Sequence, residues 1–87
     1  MDVIGANVLS EYGAKHPSAL PTLEALHALI AHANWTGPKT VEQDCGGLAR
    51  FRNDGCLVID LRKTGCRVTL SIHYGLGIVR ILEAIEL

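Results

Sequence analysis

Apolar residues recur at three- and four-residue steps before Trp35 and alternate with polar ones after Leu48, so the chain reads as helices followed by strands. Asn7 to Lys15 predicts a first helix with Leu9 and Tyr12 on one side. His16-Pro17 ends it, because a residue before proline disfavours the helical region. Ser18 is placed to cap a second helix, and Pro21 falls in its tolerant first turn. That helix runs to about Asn34, with Leu20, Leu23, Leu26, Ile30 and Ala33 on one face. Leu29 and several alanines widen the face, which predicts a well-buried helix. Trp35 follows and is positioned to close one end of the core. Thr40 to Cys45 predicts a short third helical turn, ended by Gly46-Gly47.

Four strands are predicted next: Leu48–Arg52, Cys56–Leu61, Cys66–Tyr74 and Ile78 to about Ile85. Asn53-Asp54-Gly55, Arg62-Lys63-Thr64-Gly65 and Gly75-Leu76-Gly77 turn the chain between them. The expectation is one α+β domain over residues 1–87. Two N-terminal helices pack on one face of a four-stranded antiparallel sheet. Side chains alternate across a strand, so the turns fix the faces. With Lys63-Thr64 at one tip, Ile59 pairs with Val68 and Leu57 with Leu70. With Gly75-Leu76 at the next, Ile72 pairs with Val79 and Leu70 with Ile81. One face then carries Leu57, Ile59, Leu61, Val68, Leu70, Ile72, Val79 and Ile81, and it must be the core face.

The opposite face carries Asp60, Arg67, Thr69, Ser71, His73 and Arg80, interrupted by Val58, Ile78 and Leu82. Arg67 falls opposite Asp60, and Arg80 opposite Ser71. Two guanidiniums suit phosphate oxygens, and an imidazole transfers protons near neutral pH. The same pattern also fits a plain solvated face, in which Arg67–Asp60 is a cross-strand ion pair worth about 0.2–1 kcal/mol.

Composition narrows the classes. The 87 residues are 48% hydrophobic, enough for a core, and the net charge of −1 lacks the basic excess usual in a dedicated nucleic-acid binder. No segment approaches the roughly 18 apolar residues of a membrane span. Met1-Asp2-Val3-Ile4 has no basic region, which argues against a signal peptide. Cys45, Cys56 and Cys66 form no CxxC pattern and read as reduced thiols in a cytoplasmic protein. His27 and His32 stand five apart and share no helix face, so they make a poor metal pair. No cofactor-binding motif is present: Gly75-x-Gly77 is a turn rather than a phosphate loop.

The opening Met1-Asp2-Val3-Ile4, Leu9, His16-Pro17-Ser18-Ala19, and Ala33-Asn34-Trp35 with Pro38 resemble HigB-type toxins of the RelE superfamily. So do Val58-Ile59-Asp60-Leu61, Gly65, Cys66-Arg67-Val68 and Ile72-His73-Tyr74. The resemblance runs in order over nearly the whole chain. It implies a RelE-like fold and the toxin half of a type II toxin-antitoxin system. The implied activity is that of an mRNA interferase, a metal-independent endoribonuclease that cleaves messenger RNA on the ribosome. The implied partner is a helix-turn-helix antitoxin. Arg67 matches the family's strand arginine, and Arg80 its last-strand arginine. His73 is the candidate acid–base group, with Thr69 and Ser71 as further RNA contacts. The family continues past its last strand with Thr-His-x-Glu-Tyr-Asp, where this chain has Glu83-Ala84-Ile85-Glu86-Leu87. A second reading is therefore a non-catalytic module of the same fold that binds another protein, such as a cellular or phage-defence machine.

Overall fold

A computed structural model describes residues 1–87. The chain forms β1 (Asp2–Ile4), α1 (Ala6–Lys15), a 3-10 turn (Pro17–Ala19), α2 (Leu20–His32) and α3 (Pro38–Cys45). A second 3-10 turn (Gly46–Leu48) leads into β2 (Ala49–Phe51), β3 (Leu57–Leu61), β4 (Cys66–His73) and β5 (Ile78–Glu86). It is an α+β fold of three helices and one five-stranded mixed sheet, ordered β1-β5-β4-β3-β2.

This corrects the expected two helices and four antiparallel strands. Residues 38–45 make a full helix, because Pro38 sits in its first turn and the Thr40 hydroxyl accepts from the Thr36 and Gly37 N–H groups. The fifth strand is β1, which lies parallel to β5 with Val3 beside Val79. Ser18 caps no helix; it lies inside the 3-10 turn that replaces the expected cap. Leu48 also falls in a 3-10 turn, so β2 starts one residue late.

The chain leaves β1 through Gly5, whose φ of +83° is in the left-handed region. A Cβ there would lie 2.7 Å from the Ile81 carbonyl oxygen on β5. Gly5→Ala is therefore expected to cost about 1–3 kcal/mol in backbone strain alone, with the steric displacement added. Urea denaturation measures it, and an unchanged midpoint would contradict this account of the β1–α1 junction.

The predicted register holds. Leu57 pairs with Leu70, Ile59 with Val68 and Asp60 with Arg67, while Leu70 pairs with Ile81, Ser71 with Arg80 and Ile72 with Val79. The core face is completed by Leu9 of α1, Leu23, Leu26 and Ile30 of α2, Val41 of α3, and Trp35. Trp35 is buried and donates its indole N–H to Asp44 at 2.8 Å, which ties the α2–α3 link to α3. Helix α2 is less covered than its composition predicts: Leu29 is exposed, and only Leu23, Leu26 and Ile30 are buried along it. The cysteines are unpaired, and burial pushes the Cys66 thiol above its ordinary range. No helix is long and apolar enough to cross a membrane.

One irregularity matters for the site. Thr69 pairs with Glu83 but Leu70 with Ile81, so Leu82 is the extra residue of a β-bulge. The bulge leaves Leu82 unpaired and takes it out of the alternation that placed it in the polar face. Leu82 lines a groove with Val8, Glu11, Tyr12 and Lys15 of α1.

Candidate functional site

All three helices contribute to the core on one side of the sheet, and the other side carries the polar candidates. The pairing orders this second face into four rungs. Asp2, Ile78 and His73 form the first, and Ile4, Arg80 and Ser71 the second. Glu83, Thr69, Val58 and Arg50 form the third. The fourth runs from Ile85 through Arg67 to Asp60.

The first two rungs border a half-open cleft of about 390 Å³ lined by Ile4, Ser71, Ile72, His73, Leu76, Ile78 and Arg80. Three candidate residues, Ser71, His73 and Arg80, meet there. Arg80 is exposed and in no ion pair, so its donors are free. His73 ends β4, where its Nδ1 accepts the Leu76 N–H at 3.2 Å. The neutral ring then carries its hydrogen on Nε2 and offers a donor, not a base, to the cleft. Tyr74 turns the other way and packs against the core with its hydroxyl buried and unpartnered.

The remaining candidates lie elsewhere. Arg67 is on the same face but belongs to an ion cluster. Its Nε donates to Asp60 Oδ1 at 2.7 Å and one Nη to Oδ2 at 3.4 Å. Arg50 of β2 donates to Oδ2 at 2.9 Å from the other side. The cross-strand ion pair is thus real, and it has a third member that the sequence reading left unassigned. A count outward from the Asn53-Asp54-Gly55 turn was the available signal, since it sets Arg50 opposite Val58.

Thr69 needs correction as an RNA contact. It is buried at 3% exposure, with its hydroxyl out of reach of any ligand that leaves the sheet intact. Val58 is buried too and offers no partner surface. They are adjacent on central strands, with the longer side chains of Arg50 and Glu83 on either side of the pair. Ile78 is half-buried at the cleft wall.

The Arg67 hydrogen bond is the main influence holding the Asp60 carboxyl below its ordinary range, against the opposing effect of burial, with Arg50 adding to it. A depressed folded-state value stabilises the protein above the unfolded pKa near 4, and that share is lost as pH falls through the folded value. The unfolding free energy of wild type minus that of Asp60→Asn is expected to shrink as pH drops below about 4. Urea titrations at several pH values check it; a constant difference would contradict the pairing.

The charge is segregated. Residues 50–80 hold six of the eight basic residues and only two of the nine acidic ones, a local excess of four positive charges. The two acids, Asp54 and Asp60, are both paired with arginine. The excess comes from the turns of this stretch, Arg62 and Lys63 above all; the strands themselves carry Arg50, Arg67 and Arg80 against Asp2, Asp60, Glu83 and Glu86. No group of three or more His, Cys, Asp or Glu side chains is assembled for a metal. No protein-family model matches the chain, and no curated protein matches it.

Proposed function

We propose that this protein is a HigB-like toxin whose uncovered sheet face binds single-stranded regions of messenger RNA and cleaves them without a metal. The observation that carries the reading is the convergence of Arg80, Ser71 and His73 on one cleft, on the side away from the helices. The basic excess over residues 50–80 supports it, and so does the ordered resemblance along the chain.

In such a cleavage the 2′-hydroxyl of the RNA attacks the adjacent phosphorus. A new 2′-O–P bond forms as the 2′-hydroxyl gives its proton to water. The bond to the 5′-oxygen breaks, and that oxygen takes a proton from water, leaving a 2′,3′-cyclic phosphate and a free 5′-hydroxyl. Orientation and charge stabilisation supply most of the acceleration. Arg80 neutralises the phosphoryl oxygens with its planar fork of donors. The His73 Nε2–H and the Ser71 hydroxyl add hydrogen bonds on the same side. The open side of the sheet would contact the ribosome-bound message, and a helix-turn-helix antitoxin would neutralise the toxin.

A second reading is favoured by one observation. His73 Nδ1 is committed to the Leu76 N–H, so the cleft contains no free base, and Arg67 outside it is committed to Asp60. A module that kept the fold and uses this face to bind a protein fits that arrangement. Expression of the wild type and of Arg67→Ala/Arg80→Ala without an antitoxin separates the two. Growth arrest with mRNA cuts, both lost in the double variant, is the expected result. No arrest and intact mRNA from the wild type would leave the binding module.

A further inference from the structure

Arg50 and Arg67 approach one carboxylate from opposite sides, across three strands. The Asp60 side chain is 9% exposed, whereas those of Arg50 and Arg67 are 56% and 34% exposed. The anion is thus sunk in the sheet and the cations rise from it. Two positive charges share one negative charge, leaving a net charge of +1 on this cluster, which joins Arg50 of the third rung to Asp60 and Arg67 of the fourth. A guanidinium has five N–H donors. Arg50 spends one on Asp60 and Arg67 spends two, so most of the donors remain unspent. Holding the forks in place beforehand reduces the ordering cost of binding an anion. Arg52, the nearest other cation in sequence, is already bound to Asp54 at 2.8 Å.

The spacing gives this pair a purpose. Arg67 and Ser71 are four residues apart on β4, and Arg80 is opposite Ser71. That is about 13 Å along the strand direction. One phosphate cannot bridge the two places, but one extended RNA strand can. Between them lies the third rung, where Thr69 and Val58 are buried. The exposed Glu83 stands at its β5 end and Arg50 at its β2 end, so the strand's path runs on the β2 side of Glu83.

We propose that Arg50 and Arg67, bridged by Asp60, form a second phosphate subsite, which holds the RNA strand one or more phosphates away from the Ser71–His73–Arg80 cleft. The inference rests on the RNA reading and extends it by assigning Arg50. The subsite anchors the strand and takes no part in bond breaking. It reads charge and geometry, so it recognises phosphodiester backbone and not base identity.

The test is fluorescence polarisation with a labelled single-stranded RNA of about ten nucleotides. Its 2′-hydroxyls are methylated to prevent cleavage, and binding is measured over a range of salt concentrations. Loss of one phosphate contact from a single strand reduces the slope of log affinity against log salt by about 0.7. Arg50→Ala is expected to show that reduction, with affinity about fivefold lower at 0.1 M salt. Arg50→Lys is expected to keep the slope, since the charge remains, and a melting curve confirms that each variant is folded. An unchanged slope and affinity in Arg50→Ala, with binding still weakened by Arg80→Ala, would overturn the subsite and leave the RNA reading standing. Failure of the wild type to bind the RNA would overturn both.

Discussion

Trp35→Ala is expected to cost about 3–5 kcal/mol of folding free energy, the range for removing a buried aromatic ring. A chain of 87 residues has about 4–13 kcal/mol in total, so the loss takes from about a quarter to all of it. The ring sits at the end of α2, 3% exposed, among the residues that seal the helical side of the core. Its removal leaves a cavity in the core beneath the α2–α3 link and strips Asp44 of the indole donor. Trp35→Phe separates the two losses: it keeps most of the volume and forfeits the hydrogen bond with a small part of the packing, at about 1–2 kcal/mol. Urea denaturation followed by far-ultraviolet circular dichroism measures both without relying on tryptophan fluorescence. Equal losses in the two variants would show that packing is not what Trp35 contributes.

Arg80→Ala is expected to have the larger effect on activity and almost none on stability. Its side chain is exposed and in no ion pair, so truncation removes no native partner. Loss of one charge-stabilising donor at a reacting centre costs about 100- to 1,000-fold in rate. Single-turnover cleavage of a labelled RNA oligonucleotide should therefore fall by that factor at an unchanged melting temperature. Arg67→Ala should behave differently. It breaks two hydrogen bonds to a buried carboxylate, so it lowers stability as well as RNA affinity. Arg80→Ala with full cleavage would remove Arg80 from the chemistry, whatever Arg67 does.

The contrast between these arginines was only half legible in the sequence. Alternation and two glycine-marked turns were enough to set the β3–β4–β5 register, because a slip of one residue would have exposed Leu57, Ile59, Val68 and Leu70 together. The same argument put Arg67 and Arg80 on the uncovered face, and Asp60 opposite Arg67. It did not show that Asp60 would also bind Arg50. That contact is diagonal, from Arg50 beside Val58 to Asp60 two residues further on. A pairing diagram of nearest partners does not display it.

Burial on the polar face was the other blind spot. Alternation tells which side a residue is on, not how deep it lies. Thr69 and Val58 occupy central strands of a five-stranded sheet, where neighbours on both sides shield them. Strand β1 escaped notice because three residues carry no period, and its pairing with β5 comes from the opposite end of the chain. The bulge at Leu82 was equally hidden, since an extra residue in one strand leaves the composition of the strand unchanged.

Transfer of backbone amide signals during an RNA titration tests the central claim most directly. In an NMR experiment on the ¹⁵N-labelled protein with the methylated RNA, Ser71, His73, Ile78 and Arg80 should shift, together with Arg50 and Arg67, while α1 and α2 stay silent. Shifts centred on the helices, or none at saturating RNA, would contradict the assignment of the uncovered sheet face to RNA.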